Sequence, residues 1–123
     1  MASILRVDTL TDASSNHSIA TSVVFDGTAK LWGVVTSSAG VTASANIASG
    51  TDHGTGDYSY ALTAAFGSAN HATTAVTSGA GAGRICTSNT ARTSASVIAI
   101  EIEGHAGSSS DDNQELSTHG DLA

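Results

Sequence analysis

The sequence predicts an all-β protein, a single antiparallel β-sandwich or jelly-roll-like domain with an extended N-terminal arm. Three observations lead there. Apolar residues recur at every second position in the clearest segments and almost never at helical spacing. Gly, Ser, Asn and Asp punctuate those segments, and proline is absent throughout. The composition is dominated by Ser, Thr, Gly and Ala, a profile suited to flat sheets, tight turns and close chain packing.

Taken in order, residues 1–22 read as the arm and residues 23–123 as the β-rich domain. Ile4 to Leu10 is a short strand candidate, but Thr11 to Asn16 is too polar to hold it against its own domain, so its partner is expected on a neighbouring chain. Thr28 to Thr36 is a strand with Lys30, Trp32 and Val34 on one side and Leu31, Gly33 and Val35 on the other. Trp32, the only tryptophan, is expected to be the main buried aromatic. Val41 to Ala48 is a weaker strand. Thr51-Asp52-His53-Gly54-Thr55-Gly56-Asp57 is a hairpin connection whose glycines supply positive φ, and Tyr58 to Thr63 follows with Tyr58, Tyr60 and Leu62 sharing a face. Ala72 to Thr77, Arg84 to Thr87 and Gln114 to Leu122 are further candidates. The strongest strand is Ser96 to Glu103, with Ile98, Ile100 and Ile102 on a core face and Val97, Ala99, Glu101 and Glu103 opposite. The sum is a meander of about seven strands, from which Gly79 to Gly83 and His105 to Asp112 protrude as flexible connections.

A chain of 123 residues fits one core, but with aromatics at 4% and an apolar fraction of 40% that is largely alanine, that core is thin. Association between identical chains would supply the missing burial. Four basic residues, Arg6, Lys30, Arg84 and Arg92, face eleven acids for a net charge of -7, which repels phosphate backbones and argues against nucleic acid as a partner. No apolar run approaches the length of a membrane span and no signal peptide opens the chain, so synthesis in a cytoplasm without membrane insertion is expected. The single Cys86 excludes an internal disulfide and reads as a small buried apolar residue.

Catalytic, cofactor and metal sites are not expected. The five histidines, His17, His53, His71, His105 and His119, fall mostly in predicted loops without metal-ligand spacing. Asp52 and Asp57 bracket a glycine-rich loop that could offer oxygens to calcium, yet the alternating ligands and distal glutamate of a calcium loop are missing. Asp111 and Asp112 are adjacent, would diverge on an extended strand, and are expected only to solvate their loop. No Gly-x-Ser-x-Gly elbow occurs, His17-Ser18 adjacency carries no triad, and Gly79 to Gly83 lacks the lysine of a phosphate loop.

Gly27-Thr28-Ala29-Lys30-Leu31-Trp32, followed by Asn46-Ile47-Ala48-Ser49 running into Thr51-Asp52-His53-Gly54-Thr55-Gly56-Asp57-Tyr58, resembles a recurrent small virion protein of tailed, marine-type bacteriophages, of the tail fibre or tail type. The opening Ile4 to Leu10 resembles the short motif that precedes such domains, and Ala65 to His71 is a fainter echo. The family's tryptophan is followed by bulkier residues than Gly33-Val34-Val35, and its proline is missing here. The resemblance implies a non-enzymatic structural subunit of the virion, a homotrimer without cofactor. Its arm would attach to other virion proteins of the tail or capsid, and its loops would meet a host surface glycan or protein during attachment. The alternative is a capsid decoration protein, a cement or head-fibre subunit that binds and stabilises the shell. An enzyme such as a glycan depolymerase is not expected, for want of a long repeated scaffold or a paired-carboxylate signature in this sequence.

Overall fold

Alternation along the strands settles into two four-stranded antiparallel sheets packed as a β-sandwich, in a computed structural model that describes residues 4, 6–79, 83–105 and 107–123. In chain order the elements are β1 (Thr9–Thr11), β2 (Ser18–Ala20), α1 (Thr21–Gly27), β3 (Leu31–Val35), β4 (Val41–Ala45), β5 (Ile47–Gly54), β6 (Asp57–Leu62), β7 (Ala72–Thr77), β8 (Ile85–Ser88), β9 (Val97–Glu103) and β10 (Gln114–His119). One sheet has the order β4-β3-β10-β7 and the other β5-β6-β9-β8, while β1 and β2 form a separate hairpin.

The core comes from one face of each sheet. Ile98, Ile100 and Ile102 of β9 and Tyr58 and Tyr60 of β6 are buried against Leu31 and Val35 of β3, Leu116 of β10, and Ile47. Period-two alternation forces this, because consecutive strand residues point to opposite faces. Gly33 sits in the inward row of β3, where a Cβ would collide with Ile47 Cδ1, so the small residue lets β5 close on the facing sheet. The chain changes sheets between β4 and β5 at Asn46, which adopts φ 65°, a conformation asparagine tolerates better than most residues. Its side chain secures the switch: Nδ2 donates to the Ala64 carbonyl at 3.0 Å and Oδ1 accepts from the Ala64 amide at 2.6 Å. The β5–β6 hairpin turns through Gly54 at φ 130° and Gly56 at φ 73°, as the glycine spacing predicts.

The sandwich, the isoleucine row of β9 and the tyrosine row of β6 agree with the sequence reading, and β7 spans the segment expected. Four features differ. Trp32 lies in an interior strand but points outward and is 46% exposed, since Leu31, Gly33 and Val35 take the core side of β3. The described residues contain eight sandwich strands rather than seven, and first and last neighbours β3 and β10 pair, so the order is not a meander. The Val41 to Ala48 candidate divides at Asn46, and β5 continues through residues read as loop. At the N-terminus, Met1 to Ser3 and Leu5 lie outside the described residues; among the described residues the strand spans Thr9–Thr11 and pairs with Ser18–Ala20 of its own chain. Helix α1 follows over Thr21–Gly27, where the sequence shows no helical spacing.

Two substitutions separate these faces. Ile100→Ala, inside the core, should cost about 2 to 5 kcal/mol, whereas Trp32→Ala should cost about 1 kcal/mol. Urea unfolding of both variants followed by circular dichroism checks the ranking, and equal losses would place the tryptophan in the core.

Candidate functional site

Polar side chains gather at three places, each set by the strand register. The first is the outer face of the β5-β6-β9-β8 sheet. Residues that flank the inward tyrosines and isoleucines point away from the core here, so His53 of β5, Asp57 and Ser59 of β6 and Glu101 of β9 share this surface. The connection from β8 to β9 folds over it: the Asn89 amide donates to the Ala99 carbonyl at 3.0 Å, and the Ala99 amide donates to Thr93 Oγ1 at 3.3 Å. That loop delivers Arg92 to Asp57 Oδ2 at 3.1 Å and Asn89 Nδ2 to Glu101 Oε1 at 2.8 Å.

His53 Nε2 and Ser59 Oγ lie 2.8 Å apart, a pair that superficially has the geometry of a nucleophile and its base. The hydrogen-bond directions oppose that chemistry. Arg92 Nη1 lies 3.4 Å from His53 Nδ1, and a guanidinium can only donate, so Nδ1 is the acceptor. With Nδ1 accepting, Nε2 faces Ser59 as a donor, so the ring's lone pair is turned to Arg92 and away from the serine proton. Asp57, which in a triad would orient the imidazole, is bound to Arg92 instead.

The second place is the end of the sandwich before β10. Asp111 and Asp112 diverge, as adjacent extended residues must, but both turn into structural roles rather than to solvent. Asp111 Oδ1 accepts from the Gly56 amide and from Tyr58 Oη, each at 2.8 Å, and Tyr58 Oη also lies 2.9 Å from the Ser37 carbonyl. The Gly56 amide, then the Tyr58 hydroxyl and the charge of Arg84, hold the Asp111 carboxyl below the usual carboxylate range. Burial first, and the Asp111 carboxylate next, push the Tyr58 hydroxyl well above the usual phenol range. Asp112 is buried, with Oδ2 2.6 Å from Arg84 Nη1. One N–H of Nη1 donates to the Asp111 carbonyl, 3.0 Å away, and neither of its two is aligned on Asp112, so the attraction to Asp112 is Coulombic and Oδ2 has no aligned donor among the described residues. Gly79 is pressed against this carboxylate, and a Cβ there would overlap it. Ala80 to Ala82, the middle of the glycine-rich connection, lie outside the described residues. The connection expected to protrude from His105 is pinned: the Gly104 amide donates to the Ser108 carbonyl at 2.7 Å, the Ser110 amide donates to the Ile102 carbonyl at 3.1 Å, and Glu103 pairs with Ser109.

The third place is a cavity of about 290 Å³ between β7 and the β8–β9 connection, lined by Ala69, His71, Thr73, Ser88, Thr90 and Thr93. Two of its four hydroxyl residues are committed elsewhere: Thr73 to Thr118 at 2.9 Å, Thr93 to the Asn89 carbonyl at 3.0 Å. His71 stacks on Phe66 with ring centroids 4.8 Å apart, and its Nε2 meets the Ser94 carbonyl at 3.2 Å.

The remaining candidate residues stay apart. Asp52 Oδ1 accepts from the Gly54 amide at 2.9 Å while Asp57 is held by Arg92, so the two carboxylates considered for calcium do not converge. Among the described residues no group of three or more His, Cys, Asp or Glu could hold a metal ion. His17 packs on Asp12 at 3.2 Å and closes the β1–β2 turn, where the contact with His17 holds the Asp12 carboxyl below its ordinary value. His53 and His119 belong to strands β5 and β10 rather than to loops. Cys86 is half-buried beneath the sheet, where burial first and the charge of Asp112 second raise its thiol above the ordinary value, leaving it a poor nucleophile.

Two outcomes test the β10 entry. Because the Asp111 carboxyl is depressed in the folded chain, its contribution is complete above the unfolded carboxylate value of about 4 and is lost as pH falls through the lower folded value. Acid unfolding should therefore steepen below about pH 4, and Asp111→Asn should flatten that limb in a pH-resolved melting series. Arg84→Met should cost about 3 kcal/mol, since it leaves Asp112 buried beside no cation, and urea unfolding at neutral pH reads this directly.

No protein-family model matches the chain, and neither does any curated protein or any solved structure, so its functional reading rests on its own residues.

Proposed function

We propose that this chain is a non-enzymatic structural subunit of a bacteriophage particle, self-associated, and part of a tail fibre or appendage that takes part in host attachment. The observation that carries the reading is the contrast between a closed sandwich and the segment before it. Among the described residues of 4–29 none is buried, and Val7, Leu10, Ile19, Val23 and Phe25 are each more than 40% exposed. An isolated two-stranded hairpin with one short helix has too little core to be stable in water by itself. A segment of this kind fits an attachment device whose apolar side chains are covered by another virion protein. The connection to the sandwich is short and tied down, with the Lys30 amide donating to the Thr118 carbonyl at 2.9 Å and Lys30 Nζ set over the Phe25 ring at 4.1 Å.

The resemblance to tail-type virion proteins supports the same reading, because its residues are ones on which the fold depends. Gly56 admits the Ile102 carbonyl and Ser110 at close range, and Tyr58 is fully buried. In this reading function lies in what the scaffold presents. The second reading, capsid decoration, is favoured by one feature: edge strand β4, Val-Thr-Ala-Ser-Ala, carries neither charge nor proline and offers a free edge for strand addition from a shell protein.

Electron microscopy of virions labelled on this chain separates the two, since density at a few tail sites supports the appendage, many copies over the head support decoration, and unlabelled particles overturn both. Deletion of residues 1–27 should leave the sandwich folded with a melting temperature within a few degrees of the intact chain while incorporation into particles falls sharply. Normal incorporation of the truncated chain would remove the attachment role.

A further inference from the structure

The outer face of the β4-β3-β10-β7 sheet is the largest feature the proposed role leaves unused. Strand register fixes its make-up. Trp32 lies opposite Ser117 on β10, and Val34, Glu115 and Val76 form one row across β3, β10 and β7. Trp32, Val34 and Val76 are 46%, 37% and 54% exposed. An apolar tryptophan and two valines in one exposed sheet face are what a soluble chain presents to a partner rather than to water.

Charge indicates which partner. The chain carries -7, so two copies repel over most of their surface. Acids crowd the opposite sheet, with Asp57, Glu101 and Glu103, and the end before β10, with Asp111 and Asp112. Among the described strand residues of this face Glu115 is the one acid, and His119 stands four residues further along β10 on the same side. The face is thereby complementary to itself. A two-fold axis parallel to the sheet and perpendicular to its strands, passing over the outer side of Ser117, sets Trp32 against the same residue of the second copy and each Glu115 against the other copy's His119.

We propose that this face, centred on Trp32, is where a second copy of the chain packs across a two-fold axis. The inference rests on the self-association in the reading above and adds a contact distinct from the three-fold arrangement that the family resemblance implies. Isologous contacts of this kind are the commonest way identical chains associate.

The test is the mass of the purified chain in solution at micromolar concentration by sedimentation or light scattering, with Trp32→Glu, Val76→Lys and, as a control on the opposite sheet, Glu103→Lys. Trp32→Glu and Val76→Lys should each halve the assembled mass with unchanged circular dichroism, and Glu103→Lys should leave it as it is. Since Trp32 is the only tryptophan, its emission should shift to the red in Val76→Lys. An assembled mass retained in both face variants would overturn the two-fold contact and leave self-association standing. A wild-type chain with the mass of a single copy at every concentration would overturn both.

Discussion

The sandwich depends on two tyrosines that must be buried and yet have polar tips. With aromatics at 4% of the sequence, Tyr58 and Tyr60 supply a large share of the area that closes the interlayer space, and both are fully buried. A buried hydroxyl without a partner would cost much of what the ring gains. Each is answered from the strand end opposite. Tyr60 Oη donates to Gln114 Oε1 at 2.8 Å, itself fully buried, while Tyr58 Oη meets Asp111 at 2.8 Å. Asp111 and Gln114 lie at the entry to β10, so the register of the last strand, the course of the connection before it and the closure of the two sheets are coupled through a few hydrogen bonds. Arg84 extends the coupling to the start of β8, through the Asp111 carbonyl and the Asp112 carboxylate.

That coupling explains which parts of the fold were legible in the sequence. Alternation placed Ile98, Ile100 and Ile102 and the two tyrosines correctly, because in those strands the opposite face is small or polar and only one side can be core. Strand β3 offers two apolar rows, and alternation alone does not rank Leu31, Gly33 and Val35 against Trp32 and Val34. The decision belongs to the facing sheet: Ile47 occupies the space a side chain at Gly33 would need, so the row with the glycine turns inward and the tryptophan outward. Helix α1 has no helical apolar spacing and no side-chain cap at Ala20, so its seven residues left no local signal. The roles of Asp111, Asp112 and Arg84 were equally hidden, since their partners Gly56, Tyr58 and Gly79 are remote in sequence.

The polar cluster on the other sheet shows the same limit from the side of function. Nothing in the local sequence around His53 or Ser59 announces their contact, which the β5–β6 pairing creates by placing Thr51 opposite Ser59. Once formed, its chemistry is set by a residue from a third segment. Arg92 lies against the imidazole Nδ1, pairs with Asp57 Oδ2 and makes a surface that resembles a dyad into a polar brace over the sheet. Proximity of a serine and a histidine is therefore insufficient evidence of a nucleophile, and the direction of each hydrogen bond carries the argument.

The two outer faces of the sandwich divide the work of an acidic chain. One gathers carboxylates with Arg92 and Asn89 beneath a folded-over loop, pairing Asp57 Oδ2 and Glu101 Oε1 within the molecule. The other keeps a tryptophan and two valines exposed with a single acid and a single histidine. An even spread of eleven acids would have made every face repel its own copy. Segregating them leaves one surface on which apolar burial can outweigh the residual repulsion, and this is also the face of the sheet whose inner side is least aromatic, built from Leu31, Val35, Leu116 and the polar Gln114 and Thr118. The sheet with the weaker claim on the shared core is thus the one that has most to gain from being covered.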